Sequence, residues 1–368
     1  MLVLLRTRRD VVSVNLRVQT WDGDRLSVNI RDVAIAAGVS ITTVSHVLSG
    51  QGRVAEKTRS RVLQVASELA YRPNVHAQQL VTRRSRTMAI QVASFTGPTN
   101  SRALLPRSDY FLDLLNGAAA AAADFGCALM LTPPNLDALD LAGFAVDGVI
   151  MVDPRGDEPL FNAKWQSSRP MVTTGRVTIG TGARSVVDND HLTAATTVLD
   201  HLEREGYQRP ALIVTSTSRS YIVDMLDAYR AWAETRGVEQ LIVKVGETPS
   251  ESAAAKALTS LLERSPAPDA IFASSEELAL GVLHEAQQRG IDIPGTLGVC
   301  SAVDSSTLQL TTPQVTGTML NPGEIGRQAA KALLELAAEP EGGPHHRTVA
   351  TTLCERDSTA RRGVRARS

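Results

Sequence analysis

The sequence predicts an all-α helix-turn-helix headpiece followed by an α/β core of two doubly wound parallel-sheet lobes. Three observations carry that expectation. Residues 29–48 hold two short amphipathic segments separated by a glycine. From Thr87 onward, brief apolar runs alternate with stretches of helical period. The charge is unevenly divided: the 368-residue chain is −1 overall, yet residues 28–86 carry +6, residues 1–27 carry +2 and the remainder −9.

In the headpiece, Ile30, Val33, Ala34 and Ala37 fall at i, i+3, i+4 and i+7, one face of a short helix. Asn29 stands at its N-cap, with Asp32 in the first turn beside the positive helix end. Gly38 supplies the turn, and Ser40 is a second cap. Ile41, Val44, Val47 and Leu48 make the inward face of the second helix, leaving Thr42, Thr43, Ser45 and His46 outward. A third helix covers about 56–70, with Val62, Val65, Ala66 and Leu69 inward. Two short helices about a glycine turn, closed by a third, form a helix-turn-helix. Its polar outer face and basic surroundings point to nucleic acid.

The next segment, Tyr71 to Leu80, contains Pro73, which can begin a helix but not sit inside one. The segment after Pro73 is barely two turns long, too short to be a stable helix alone. Arg83, Arg84 and Arg86 come directly after it and would favour a phosphate backbone.

In the core, strands are expected at 87–93, 127–132, 146–153, 170–175, 210–215, 241–245, 269–274 and 297–303. Helices are expected at 111–125, 191–205, 222–236, 251–264, 276–289 and 323–338. Strands buried on both faces and alternating with helices form parallel, doubly wound sheets. The length exceeds one such sheet, so two lobes are expected, with ligands taken in the crevice at the strand C-terminal ends.

Other classes fit poorly. No apolar run reaches the ~18–20 residues that span a bilayer. The opening apolar stretch precedes Arg6, Arg8 and Arg9, the reverse of a secretory signal, so a cytoplasmic place and no membrane are expected. Cys127, Cys300 and Cys354 lie far apart, which suits neither a disulfide framework nor zinc. His345 and His346 lack further ligands nearby in sequence, and neither metal nor cofactor is expected. GxGxxG, GxxxxGK[ST] and GxSxG are missing, and Gly180-Thr181-Gly182 is too bare to count. The expectation is a chain that is not an enzyme and has no catalytic residues. Residues 1–27 show no periodicity and are expected to be a disordered extension, with Val28 a candidate first residue. Residues 359–368 are expected to be a basic tail.

The run DVAIAAGVSITTVSHVLSG, followed by VAEKTRSRVLQVASELAYRPNVHAQQL, resembles the headpiece of the lactose-repressor (LacI/GalR) family over about 50 residues. The resemblance implies that Ile41, Thr42 and His46 read bases, while Ser40, Thr43, Ser45, Lys57, Thr58 and Asn74 serve mainly as phosphate contacts. It further implies hinge helices paired across a homodimer in the minor groove, with Leu80 wedged into a base step beside Ala77. Three positions depart from the family pattern. His46 stands where most members have Arg, Ala55 replaces a common Ser cap, and Gln78 replaces a frequent Arg.

Segments SDYFLDLLNGAA, VDGVIMVDP, PDAIFASSEELALGVL and LTTPQVTGTMLNPGEIGRQAAKALLEL extend the resemblance to about residue 358. They imply a periplasmic-binding-protein-like sensor and dimerisation core, with 87–187 plus about 318–340 in one lobe. The implied domains are a headpiece at 28–72, a hinge helix and linker at 73–86, and a core at 87–358. The implied function is a sequence-specific transcriptional regulator, a repressor. As a homodimer it would bind a near-palindromic double-stranded DNA operator under control of a small-molecule effector. Sugar-sensing members use an Arg and an Asp where this chain has Met225 and Val303. Polar effector candidates are Ser94, Arg176, Ser275 and Asp304, with Tyr110 or Phe111 as a stacking wall. Each is equally readable as a turn or core residue, and two options stay open: an effector less polar than a sugar, or none. The rival reading is a periplasmic-type small-molecule receptor without a DNA role.

Overall fold

The computed structural model describes residues 28–49, 52–71, 84–93, 108–134, 141, 143–161, 169–180, 185–339 and 344–361. The chain divides into two compact units between Arg83 and Arg84.

Among the described residues of the first unit, three helices are α1 (Ile30–Ala37), α2 (Ile41–Ser49) and α3 (Glu56–Glu68). Asn29 and Asp32 form a reciprocal capping box. Asn29 Oδ1 accepts from the backbone N–H of Arg31 at 2.8 Å, and Asp32 Oδ2 accepts from that of Asn29 at 2.8 Å. Gly38 ends α1 at φ 66, a left-handed conformation that a side chain resists. Ser40 Oγ accepts from the Thr43 N–H at 3.1 Å and so starts α2. Ala55 offers no such bond to α3, as its side chain requires. Val33, Ala34, Ala37, Val44, Val47, Val62 and Ala66 close the core. α3 stops short of residue 70, where Ala70 takes a φ of 50. Asn74, Ala77 and Leu80 lie outside the described residues.

The second unit opens with β1 (Thr87–Val92), α4 (Asp109–Asp124), β2 (Ala128–Thr132), β3 (Gly148–Val152), β4 (Met171–Thr174) and β5 (Ser185–Asn189). It continues with α5 (His191–Arg204), β6 (Pro210–Thr215), α6 (Ser220–Arg236), β7 (Ile242–Val245), α7 (Glu251–Leu262), β8 (Ala270–Ala273) and α8 (Glu276–Gln288). It ends with β9 (Gly298–Ser301), α9 (Ser306–Gln309), β10 (Thr316–Met319), α10 (Pro322–Ala338), β11 (His346–Val349) and β12 (Thr352–Cys354). One sheet has the order β11-β5-β4-β3-β1-β2, all parallel. The other runs β12-β10-β9-β8-β6-β7 and is parallel except for its antiparallel edge strand β12. These are the two expected doubly wound lobes.

The chain changes lobe after Asn189, again at Leu320–Asn321, and once more at Ala350. The first lobe buries Met88, Ile90, Val152 and Val172 against α4 and α10. The second buries Leu212, Val214 and Phe272 against α5 and α6, and Ile213, Ile271 and Val299 against α7 and α8.

Two expected boundaries move. Residues 84–86, read as linker, belong to the core, because Asp147 binds the backbone of Ser85 and Arg86. Residues 359–361, read as tail, also belong to it. Thr359 is fully buried between Thr316 Oγ1 (2.6 Å) and His201 Nε2 (2.8 Å), and Arg361 lies 4.9 Å over the Tyr207 ring.

Candidate DNA-reading helix and inter-lobe cleft

Helix α2 divides by its period. Val44 and Val47 are buried, while Thr42, Ser45 and His46 are exposed and Thr43 is half-buried. Ile41, expected on the inward face, is instead 43% exposed at the start of the helix. That is the outward position to which the resemblance assigns base reading. Lys57 is exposed and Thr58 half-buried in the first turn of α3. His46 packs over Gly52, whose φ is 80; a Cβ at Gly52 would lie 2.9 Å from His46 Nδ1. The result is a helix face of hydroxyls, an imidazole and one apolar side chain, able to meet base edges. Its N-terminal end is favourable to phosphate.

In the core, strand order reverses beside β1 and beside β6, the switch points at which doubly wound sheets take ligands at their strand C-terminal ends. Asp153 follows β3, Arg176 follows β4 and Asp188 lies in β5. Tyr110 begins α4, His191 begins α5, and Arg219, Tyr221 and Asp224 line the start of α6. The Arg176 N–H donates to Ser220 Oγ at 3.1 Å, and its guanidinium forms an ion pair with Asp224. His191 Nε2 lies 3.1 Å from Asp188 Oδ1, and its ring is 6.0 Å from that of Tyr221. Ser306 Oγ donates to Asp109 Oδ2 at 2.7 Å from the opposite lobe. Gly175, at φ 97, lets the backbone come close: a Cβ there would be 3.4 Å from both Asp153 Oδ1 and Ser220 Oγ.

These groups are electrostatically coupled. Burial pushes the Asp153 carboxyl up to about 6; the Arg219 guanidinium opposes that rise and Asp188 adds to it. Arg219 itself is only 3% exposed. Burial also raises the Asp224 carboxyl, against the pull of Arg176. For His191, burial disfavours the imidazolium. The Asp188 hydrogen bond and the charges of Asp188, Asp153 and Asp224 outweigh it, so the ring binds its proton more tightly than usual. The Tyr110 hydroxyl is pushed well up by burial, then by Asp153 and Asp188.

Of the expected effector residues, Tyr110 and Arg176 reach this cleft, and Ser94 lies outside the described residues. Ser275 caps α8, accepting from the Leu278 N–H at 3.4 Å. Two expectations need correction. Phe111 is no stacking wall; it is 8% exposed, sits in the first lobe's core beside Leu114 and Ile325, and meets Tyr110 edge-to-face at 5.2 Å. Asp304 is committed to Arg356, which grips both its oxygens at 2.7 Å. Although burial works against it, that grip holds the Asp304 carboxyl below its usual range. Met225 is buried in the second lobe's core, in keeping with the missing clamp. Sequence reasoning missed Asp153, Asp188, His191, Arg219, Tyr221 and Asp224. Their signal was position, at strand ends and the helix starts that come after them. Among the described residues no three His, Cys, Asp or Glu side chains gather to hold a metal, and no helix is long and apolar enough to cross a membrane.

Comparison with known proteins agrees with both units. Residues 29–74 match the description "Bacterial regulatory proteins, lacI family", and residues 199–359 match a periplasmic binding protein-like domain. The HTH-type transcriptional regulator CelR of Thermobifida fusca is 28% identical over 335 residues, covering 89% of this chain and 96% of that protein. A solved CelR–cellobiose complex covers 90% of this chain and 99% of its own at 25% identity, with a TM-score of 0.66. A lac repressor dimer bound to operator and an anti-inducer shares the fold over 90% of this chain and 99% of its own, with a TM-score of 0.70 at 19% identity. The headpiece match, the two-lobed core and relatives named as regulators along nearly their whole length make the chain similar throughout to bacterial transcriptional regulators of the lacI family.

Proposed function

We propose that the chain is a repressor that reads a near-palindromic operator as a homodimer, with Ile41, Thr42 and His46 at base edges. Ser40, Thr43, Ser45, Lys57, Thr58 and Asn74 then sit at phosphates, and Ala77 and Leu80 at the minor groove. The observation that carries this reading is α2, whose apolar residues Val44 and Val47 are buried while its small polar side chains face out. A dimer spaces two such helices about one turn of duplex apart. With His46 in place of Arg, the half-site lacks the usual bidentate guanine contact and differs from that of Arg-bearing relatives.

The small-molecule effector, in this reading, enters the inter-lobe cleft and meets Tyr110, Asp153, Arg176, Asp188, His191 and Tyr221. Hydroxyls and carboxylates there can hold a polyol, as the cellobiose-bound relative suggests, without an Arg at 225 or an Asp at 303. The protein acts in the cytoplasm as a regulator and carries out no chemical step of its own.

Genome-wide footprinting with the purified chain tests the reading. The expected result is a small set of sites sharing an inverted repeat. Protection without any shared sequence would overturn it. Thermal-shift measurements with cellobiose and other oligosaccharides then probe the cleft, and binding should raise Tm.

A further inference from the structure

The chain enters the core through a short, tightly held segment. Asp147, just before β3, takes three hydrogen bonds from it: the Ser85 N–H at 2.6 Å, the Ser85 hydroxyl at 2.9 Å and the Arg86 N–H at 2.8 Å. Arg86 adopts a φ of 54, and its carbonyl accepts from the Ala128 N–H at 2.8 Å. One residue before Ser85, the Arg84 guanidinium donates to the Ala337 carbonyl at 3.0 Å. Ala337 lies in the last turn of α10, where carbonyls lack helical partners and a cation is favoured.

The other end of α10 lies at a lobe crossover. Asn321, which precedes it, has a φ of 52, and its side-chain N–H donates to the Ala350 carbonyl at 2.8 Å. Asn189, at an adjacent crossover, donates to the carbonyls of Leu320 (3.0 Å) and Val349 (2.9 Å). Between its ends α10 is locked to α4: a Cβ on Gly326 would lie 2.0 Å from the Leu114 carbonyl oxygen. A 17-residue helix spans about 25 Å and does not bend easily.

We infer that Asp147 and Arg84 form the joint through which α10 passes a change between the lobes to the segment leading to the DNA-binding unit. The inference rests on the DNA-binding reading proposed above. Both side chains act as positioning residues, since neither needs to touch DNA.

The test uses the full-length chain and two probes: a duplex recovered by footprinting and a random-sequence duplex of equal length. Asp147→Asn removes a negative charge, so by charge alone it should tighten binding to both duplexes. The joint predicts the opposite for the specific duplex, a loss of about tenfold, with random-duplex affinity kept or raised. Arg84→Ala should likewise weaken only specific binding and leave the salt slope of random-duplex binding unchanged. If Arg84 contacts phosphate, binding to both duplexes falls and the slope flattens by about 1, which overturns the joint. Unchanged specific binding in both variants overturns it too. Tm and hydrogen exchange check that each variant folds; if Asp147→Asn does not, the exposed Arg84 carries the test alone. A wild-type chain with no sequence preference would instead remove the DNA-binding reading, a failure visible before any variant is made.

Discussion

Arg176 of the first lobe and Asp224 of the second meet across the cleft in an ion pair whose two ends differ in exposure. The arginine side chain is 53% exposed and the aspartate 13%. An exposed guanidinium adds little to global stability, about 1 kcal/mol or less. Its effect should be local. Arg176→Ala is expected to speed hydrogen exchange at the Arg176 amide, which donates to Ser220, and around the start of α6, with Tm nearly unchanged. Salt near 1 M, where the Debye length is about 3 Å, should produce part of the same effect in the wild type. Exchange that stays as slow as before would show that the pair does not hold the lobes.

The Asp153 carboxyl makes core stability depend on pH. Its value in the fold, about 6, lies above the ordinary 3.8, so the folded state binds the proton more tightly than the unfolded one. The stabilisation is complete below 3.8 and is lost as pH rises through about 6. At pH 7.5 the ionised carboxylate therefore costs the fold roughly 3 kcal/mol. Asp153→Asn should remove that cost, and Asn suits the left-handed φ of 47 found there. Tm should rise at pH 7.5 and match the wild type near pH 4. An equal gain at both pH values would place its origin elsewhere than ionisation.

The sequence showed the large features because they rest on period and alternation. Residues 29–48 carry their own caps and turn, and the eight core strands expected from apolar runs all exist. The strands at Ser185, Thr316, His346 and Thr352 were missed because their sequences, such as TGTM, offer no apolar run and are specified by neighbouring strands. Two of the effector candidates, Phe111 and Asp304, were misread because their surroundings are likewise set by distant parts of the chain. Whether Asp304 faces a ligand or Arg356 is decided by a contact 52 residues away in sequence, and Asp188 could not be placed without β5. Residues 84–86 read as linker because only the Asp147 side chain, 61 residues on, makes them part of the core.

On the recognition helix, stability and specificity should separate by position. Ser40 Oγ caps α2, so Ser40→Ala should cost about 1 kcal/mol of headpiece stability. Ile41 is largely out of the core, so Ile41→Ala should change stability by no more than about 0.5 kcal/mol. Its effect should fall on which sequences are bound. Selection of bound duplexes from a random pool checks this, and an Ile41→Ala pool identical to the wild-type pool would deny Ile41 a reading role.

Asp304 offers a direct contrast between a ligand contact and an internal ion pair. Its side chain is 7% exposed and that of Arg356 14%, so Asp304→Ala would strand a charged group in the interior. The loss should be about 3–5 kcal/mol in urea unfolding. Unchanged stability, together with a lost thermal shift on adding an effector, would return Asp304 to the cleft's working residues.

At Gly326 two effects of opposite sign compete. In an exposed helix interior, replacing Gly by Ala gains about 1 kcal/mol. Here the added Cβ would lie 2.0 Å from the Leu114 oxygen and 2.9 Å from the Ala118 nitrogen, both backbone atoms of α4 that no rotamer change can move. Gly117 on the facing helix is equally closed, with its Cβ 1.8 Å from the Gly323 oxygen. Forcing the helices apart should cost more than the propensity gains, about 1–3 kcal/mol net. Gly326→Ala is therefore expected to lower the urea midpoint, and because α10 also bears on Arg84, to weaken specific DNA binding alongside. A raised midpoint would mean that α4 and α10 have slack between them, and that α10 is too loosely held to transmit a displacement from one end to the other.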